Sequence, residues 1–379
     1  MKILAFAKGS LLGILLLSLF ACQQQRPQEN TNNNPSSPSV QETRLVLNNA
    51  TLEQPNNKGQ LLWKIQVDKA IYSPDQKQAE LNQIKGNLYQ DGKIVLQVSA
   101  DKGKIYKDGE SIFLQEKIIA TDPRNKAILR GEEVEWRPNE DVLIVRKNLR
   151  GNNAKLDATA KEGKYYTRQQ RLELIGNIIA TSKEPKLQLK TEHLFWNIEQ
   201  DKVIGDRPLT MVRYKDKTVT DRVSANRAEV NLKISNVLVR DNVEYRSINP
   251  SVQVAANAVN WNYQTRLLIS NQPVRLFQYK ELVTITGNQA QVDLEKEVAR
   301  LKGGVQGYSD RDRSKLYARE MTWYIPNQKV EAMGNVIYEQ KNPQFNVTGQ
   351  RAVGTLQNNN IVVSGNSQDR VVTEIVPES

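Results

Sequence analysis

A repeated unit of about 31 residues constrains this chain more than any other feature of its sequence. Each copy has apolar residues at alternating positions, then a small residue, then apolar residues three and five positions later. The small residues fall at positions 100, 131, 160, 191, 225, 256, 287, 318 and 349. Four of the five tryptophans occupy one position in every second copy. Such regularity predicts one architecture built by stacking copies.

Alternation with a period of two predicts strands that have one apolar face. The step of three after the small residue would place the later apolar side chains on the opposite face of a straight strand. A bulge or bend is therefore needed there to keep both halves of the strand facing one interior. A small side chain fits that corner. A second strand follows, as at Ile112 to Leu114, and several second strands run into Gly-Asn pairs such as Gly86-Asn87, Gly176-Asn177 and Gly334-Asn335. We therefore predict a single elongated all-β domain over residues 43–379.

The inward positions of these strands are the candidate binding residues. They are mostly aliphatic and include the repeated tryptophans: Val98, Ala100, Ile105, Trp136, Tyr165, Trp196, Val254, Trp261, Ile285, Val292, Met321 and Trp323. An apolar stripe of this kind is often ordinary core. The constant length of the unit and its small corner residues favour a trough of uniform section, which suits the acyl chains of a lipid.

Composition argues against catalysis. The chain has one His and one Cys, which leaves little material for general-base chemistry or a metal site. His193 has no recognisable catalytic neighbours in the sequence, so we expect no catalytic residue, metal or cofactor. The net charge of +11 favours anionic partners. The basic residues are dispersed and not interleaved with stacking aromatics, which disfavours nucleic acid.

Residues 1–21 are predicted to be a lipoprotein signal peptide. Lys2 and Lys8 accompany an apolar run from Leu11 to Ala21, and the small residue before Cys22 fits signal-peptidase cleavage. The Leu-x-Ala-Cys sequence resembles the bacterial lipobox, whose cysteine receives a lipid, so Cys22 is the predicted anchor. A retained membrane helix is the alternative, but the run is shorter than the about 20 residues that a spanning helix needs.

Residues 22–42 are predicted to be a disordered tether behind that lipid anchor. They are rich in Gln, Asn, Pro and Ser and nearly lack apolar side chains. Such a segment cannot offset the entropy of folding by burial. The sequence therefore indicates a folded body held away from a membrane by a spacer.

Lipobox, tether and repeated strands with Ala-x-x-Ala-x-Trp and Gly-Asn-Val-like segments together resemble the LptC/LptA (OstA-like) proteins of lipopolysaccharide transport. The resemblance covers roughly residues 60 to 365. It implies an elongated, open β-jellyroll of antiparallel strands whose interior holds lipid acyl chains. It also implies a periplasmic location, an inner-membrane Lpt ABC transporter as one partner, and an LptA-like bridge or outer-membrane translocon as the other.

Two departures from that family pattern stand out. Ordinary LptC-like members have a body about half as long and usually retain a transmembrane helix, whereas long members of the present kind resemble those of cyanobacteria. Edge-to-edge joining in the family implies docking by strand addition. We expect the strand near Leu61 to Val67 at one end, and those near Phe345 to Val347 or Ile361 to Val363 at the other, to be the docking edges.

Two other functions remain open at this point. One is a parallel β-helix that binds or processes surface polysaccharide, although the copies lack the clustered carboxylates and exposed aromatics typical of such proteins. The other is a structural scaffold lipoprotein with a closed, dry core. Lipid bound in the interior would distinguish a lipid carrier from that scaffold.

Overall fold

Alternating burial along the chain forms strands throughout the computed structural model. It describes residues 44–106, 109–184, 186–311, 313–341, 344–355, 360–365 and 370–375. The signal peptide, Cys22 and the tether lie outside these ranges, so predictions about them stay predictions. Within the described ranges there is no α-helix; a short 3-10 turn lies at Pro138–Glu140. The all-β prediction is confirmed.

The strands in chain order are β1 Val46–Pro55, β2 Leu61–Tyr72, β3 Ala79–Gln90, β4 Lys93–Tyr106, β5 Ser111–Asp122, β6 Ala127–Arg137, β7 Val142–Asn152, β8 Leu156–Tyr166, β9 Arg171–Ser182, β10 Leu187–Asn197, β11 Lys202–Gly205, β12 Leu209–Lys215, β13 Thr218–Ala225, β14 Arg227–Asn231, β15 Asn236–Ser247, β16 Val252–Asn262, β17 Leu267–Ser270, β18 Val274–Gln278, β19 Val283–Gly287, β20 Gln289–Asp293, β21 Val298–Ser309, β22 Lys315–Tyr324, β23 Lys329–Lys341, β24 Gln344–Thr355, β25 Asn360–Ser364 and β26 Val372–Ile375.

Most strands pair antiparallel with the next strand in the chain, so the sheet grows lengthwise as one meander. At some places two short strands take the position of one long strand. For example, β10 pairs with β9 on one side and with both β11 and β12 on the other. In the same way β16 pairs with both β17 and β18. Because all the described pairings are antiparallel, the parallel β-helix considered above is excluded for this part of the chain.

The corner of each copy lies where the sequence predicts a bulge. In β4 the buried positions step from Ala100 to Gly103, and there the register with β5 shifts. Ser99 pairs with Ile119 but Lys102 pairs with Gln115, so the extra residue belongs to β5, the second strand of the copy. A bulge of this kind bends the sheet and turns both halves toward one interior.

Left-handed backbone at the corner explains the Gly-Asn pairs. Gly176 and Asn177 have φ of 77° and 51°, and Gly334 and Asn335 have φ of 81° and 52°. Glycine and asparagine adopt this region with little strain. Gly86 differs, since a Cβ there would lie 2.2 Å from the Lys64 carbonyl oxygen. That glycine is required by close strand approach.

The interior is one contiguous apolar cluster that extends from Leu52 on β1 to Val330 on β23. Among its largest fully buried side chains are four tryptophans, Trp136, Trp196, Trp261 and Trp323. A separate small cluster follows near the C-terminal end, formed by the buried residues Ala318, Ala332, Val336 and Ala352. Burial on this scale is the main source of stability for a sheet that folds over to enclose its own core.

The terminal strands correct part of the docking prediction. The segment Leu61 to Val67 lies in β2, which is covered on its outer side by β1, so β1 is the N-terminal edge. Phe345 to Val347 lies in β24 and is covered by β26. Ile361 to Val363 lies in β25, which pairs with β24 and is the last strand on its half of the sheet. Edge docking therefore has β1, β25 and β26 as its candidates.

Candidate functional site

All twelve predicted lining residues face the interior. Their exposed fractions run from 0% to 6% for Val98, Ala100, Ile105, Trp136, Tyr165, Trp196, Val254, Trp261, Ile285, Val292, Met321 and Trp323. The adjacent positions point outward: Glu135, next to Trp136, forms ion pairs with Arg137 and Arg146 on the outer face. Contact of the inward residues with lipid stays a prediction.

Two rows of turns border this interior. The first row joins the two strands within a copy, as at residues 138–141, 167–170, 198–201 and 263–266. The second row joins one copy to the next, as at residues 123–126, 153–155, 216–217 and 248–251. Because every long strand bends at its corner, the two rows are brought face to face on the side opposite the corners.

Turns of the same row are joined by backbone hydrogen bonds. In the first row the amide of Thr167 donates to the Asp141 carbonyl, and the amide of Tyr263 donates to the Ser235 carbonyl, both at 3.0 Å. In the second row the amide of Ile248 donates to the Thr220 carbonyl, also at 3.0 Å. The margins of the interior are therefore ordered strips of backbone.

Side chains join the two rows across the open side of the fold, beginning with a buried carboxylate. Asp122 is fully buried and accepts a hydrogen bond from the Tyr165 hydroxyl at 2.6 Å. It also pairs with Arg124 at 2.5 Å. Arg124 in turn donates to the Thr167 carbonyl in the first row at 2.8 Å. This cluster fastens a second-row turn to a first-row turn.

A second cluster repeats this arrangement farther along. Asp221 is fully buried, accepts from the hydroxyls of Tyr245 and Thr220, and lies 3.4 Å from Arg213 and 3.5 Å from Arg266. Arg213 donates to the Tyr263 carbonyl at 2.7 Å. Across the rows, Arg266 also donates to the Asn249 carbonyl at 2.8 Å.

We call the line of contacts from Asp122 to Arg266 the seam. Between its two clusters, Lys155 of the second row pairs with Asp201 of the first. Burial raises the pKa of Tyr165, and the neighbouring Asp122 raises it further. Burial and Asp221 likewise raise the pKa of Tyr245. Both phenols therefore remain protonated donors at neutral pH, and the seam is held by hydrogen bonds as well as charge.

The seam was not predicted from the repeat pattern, although the sequence carries a signal for it. Ile118 and Ala120 are inward positions of β5, and Asp122 continues the same parity. Asp221 stands in the same relation to Val223 and Ala225 on β13. A carboxylate at an inward position must find partners or remain uncharged, so these two residues were recognisable as buried polar centres.

A small apolar cavity, with an accessible volume of about 70 Å³, opens between the rows at the C-terminal end. Its lining includes Val283, Ile285, Met321, Val330, Ala352 and Ile361. The cavity therefore lies between the long apolar cluster and the small C-terminal one.

His193 lies in a polar setting at the interruption between β11 and β12. Its ring nitrogens are 2.7 Å from Asp206 and 3.2 Å from Glu173. Burial lowers the pKa of His193, but hydrogen bonds and attraction to these carboxylates outweigh burial, and the net shift is upward. An imidazole held by two carboxylates in this way joins neighbouring strands. Within the described ranges, no His, Cys, Asp or Glu cluster is placed to bind a metal ion.

Comparison with models of protein families gives a match to the family described as "Lipopolysaccharide-assembly, LptC-related". The match covers residues 10–143, 126–213 and 207–310, well over half of the chain. The chain belongs to the LptC-related family. The resemblance stated from the sequence is thereby confirmed, and the elongated antiparallel sheet agrees with it. A search of curated proteins finds no match.

Family membership assigns the chain a role in lipopolysaccharide transport, in a family of transport proteins and not of enzymes. It also places the chain in the periplasm in association with the inner membrane, with lipopolysaccharide and the Lpt complex as general partners. No helix in the described part of the chain is long and apolar enough to cross a membrane.

Proposed function

We propose that this LptC-related chain holds the acyl chains of lipopolysaccharide, or of a similar glycolipid, in its apolar interior. It accepts them from the inner-membrane Lpt ABC transporter and passes them toward the outer membrane. The observation that carries the proposal is the contiguous apolar interior, which widens into an apolar cavity between the two rows of turns. A lipid tail in that interior is shielded from water along the whole array.

Charge on the second row of turns supports a phosphorylated head group outside the interior. Exposed basic side chains recur in these turns or at the strand ends beside them: Arg124, Lys126, Lys155, Lys183, Lys186, Lys217 and Lys280. Such a strip attracts anions along the line where a head group emerges from the interior. The same fold can therefore hold acyl chains in its interior and phosphates at its second row of turns.

The seam determines how such a lipid passes. With its tail between the sheet halves and its head outside, a lipid can move lengthwise only where the two rows are apart. Asp122 and Asp221 hold the rows together over their part of the array. Transport therefore requires the seam contacts to open and reform as the lipid advances.

Attachment of the chain has two parts in this proposal. Lipid on Cys22 holds the N-terminus at the inner membrane, and the segment 22–42 acts as the spacer. Partners then add strands to the sheet edges formed by β1, β25 and β26. The LptA-like bridge or outer-membrane translocon is the expected partner at one of these edges.

A scaffold with a dry core is the second candidate function, and the closed seam together with near-zero exposure of the interior favours it. Photocrosslinking separates the two. A benzoylphenylalanine at Ile285 or Met321, both on the cavity wall, should capture lipid in cells. The same probe at the outward neighbours Thr284 and Thr322 is the matched control and should capture little. Absence of lipid adducts from both cavity positions would favour the scaffold.

A further inference from the structure

The four repeated tryptophans differ from the fifth in the state of the indole N–H. Trp63 is buried near the N-terminal end, and its Nε1 donates a hydrogen bond to the Gly109 carbonyl at 3.0 Å. Trp136, Trp196, Trp261 and Trp323 are each no more than 1% exposed. Their Nε1 atoms are buried and have no acceptor among the described residues.

An unpartnered buried donor is unfavourable, and proteins seldom retain one. Here the same condition occurs at four corresponding positions. A phenylalanine or leucine would fill an apolar interior without introducing a donor. The recurrence of tryptophan therefore points to an acceptor that enters the interior from outside the chain.

The depth of these rings identifies where that acceptor lies. Each of the four tryptophans is the next-to-last residue of its strand, just before a first-row turn, as Trp196 is before Asn197 and Trp261 is before Asn262. The ring of Trp261 lies 5.6 Å from that of Tyr245, whose hydroxyl donates to Asp221 in the seam. The indoles therefore stand at the boundary between apolar interior and polar margin.

We propose that these four indole N–H groups donate hydrogen bonds to oxygen atoms of the lipid tails, namely ester, amide or hydroxyl oxygens close to the head group. This inference rests on the proposed lipid-carrying function and specifies how the lipid is recognised. When the acyl tail lies inside and the head group outside, the ester, amide or hydroxyl oxygens near the head group lie at the depth of the indoles. A pure hydrocarbon offers no such acceptor.

The four tryptophans are evenly spaced along the sheet, so they form a series of equivalent binding positions. Four sheet rungs separate Trp136 on β6 from Trp196 on β10, and four again separate each of the following pairs. At the usual distance between strands this is about 19 Å. Trp323 pairs across strands with Val330, which lines the C-terminal cavity. It is therefore the repeated tryptophan closest to that cavity.

Indole NMR on the full chain labelled with 15N-tryptophan tests the proposal, with Trp63 as internal reference. The probes are methyl tetradecanoate, which carries an ester, and heptadecane, which has no oxygen. We expect both to bind, and only the ester to move indole N–H signals downfield, at Trp323 first and never at Trp63. Binding of both with identical indole shifts would overturn the hydrogen-bond proposal alone. Binding of neither would overturn the lipid-carrying function as well.

A variant pair gives a second measurement. Trp323→Phe retains an aromatic ring but removes the donor, so preference for the ester over the hydrocarbon at the C-terminal cavity should fall by about 2- to 10-fold. Trp63→Phe is the matched control and should leave that preference unchanged. An unchanged preference in Trp323→Phe, with the N–H signals of the wild type also unmoved by the ester, would refute the proposal.

Discussion

Removal of one charge from the seam should loosen it over a defined stretch. The change is Asp221→Asn, which keeps the shape of a fully buried side chain. It leaves Arg213 without a carboxylate and Arg266 with only the exposed Glu295, at 3.8 Å. Breaking one side of a buried ion pair costs about 3–5 kcal/mol. The hydroxyls of Tyr245 and Thr220 also lose a charged acceptor. Both arginines keep backbone carbonyl partners, which favours the lower part of that range.

Local opening is the quantity to measure, because a repeat array need not unfold in one step. The amide of Ile248 donates to Thr220 and that of Tyr263 to Ser235, so both report on the turns beside Asp221. At a factor of ten for each 1.4 kcal/mol, their native-state hydrogen exchange should accelerate by about 100- to 4,000-fold. Asp216→Asn, an exposed turn change that retains a residue tolerant of left-handed backbone, is the control. Equal exchange in the two variants would refute the seam as a fastening.

Three further outcomes are expected. Cys22→Ser should abolish palmitate labelling and leave the precursor uncleaved; normal labelling would contradict acylation at that cysteine. Deletion of residues 360–379 removes β25 and β26 and should abolish partner capture in pull-downs while circular dichroism still shows the sheet; undiminished capture would move the docking edge elsewhere. The raised pKa of His193 means that its contribution to stability is complete below pH about 6.5 and is lost as pH rises through the higher folded pKa. Exchange near Glu173 and Asp206 should therefore increase over that interval, and His193→Gln should remove the pH dependence; a pH-independent wild type would count against it.

Local patterns predicted the strands, the corners and the inward direction of Trp136 or Ile285, because alternation and burial are local properties of a strand. The N-terminal edge was not foreseen. β1 reads Val-Leu-Asn-Asn-Ala-Thr-Leu-Glu-Gln-Pro and Leu52 is its one buried residue, so its pattern is weak. It is held mainly by its backbone pairing with β2.

The bulge and the seam show two different limits of such reasoning. The step of three at Ala100 locates the corner, but which strand carries the extra residue depends on the partner's left-handed pair, Glu116 and Lys117. The seam joins residues far apart, such as Asp122 and Tyr165, by side chains that no single copy contains. Its existence follows from how the halves of the sheet fold over, which local periodicity does not encode.

The sequence separation between residues joined across the seam has a consequence for how such chains change in length during evolution. Most of its contacts between the two rows join residues 43 to 50 positions apart, and the bond from Arg266 to Asn249, 17 positions apart, is the exception. During synthesis, a turn can be fastened as soon as the next copy and a half has been made, without waiting for the C-terminus. A gene duplication that inserts whole copies preserves every such offset. The number of copies, and with it the distance the protein reaches, can therefore vary in evolution while each fastening is kept.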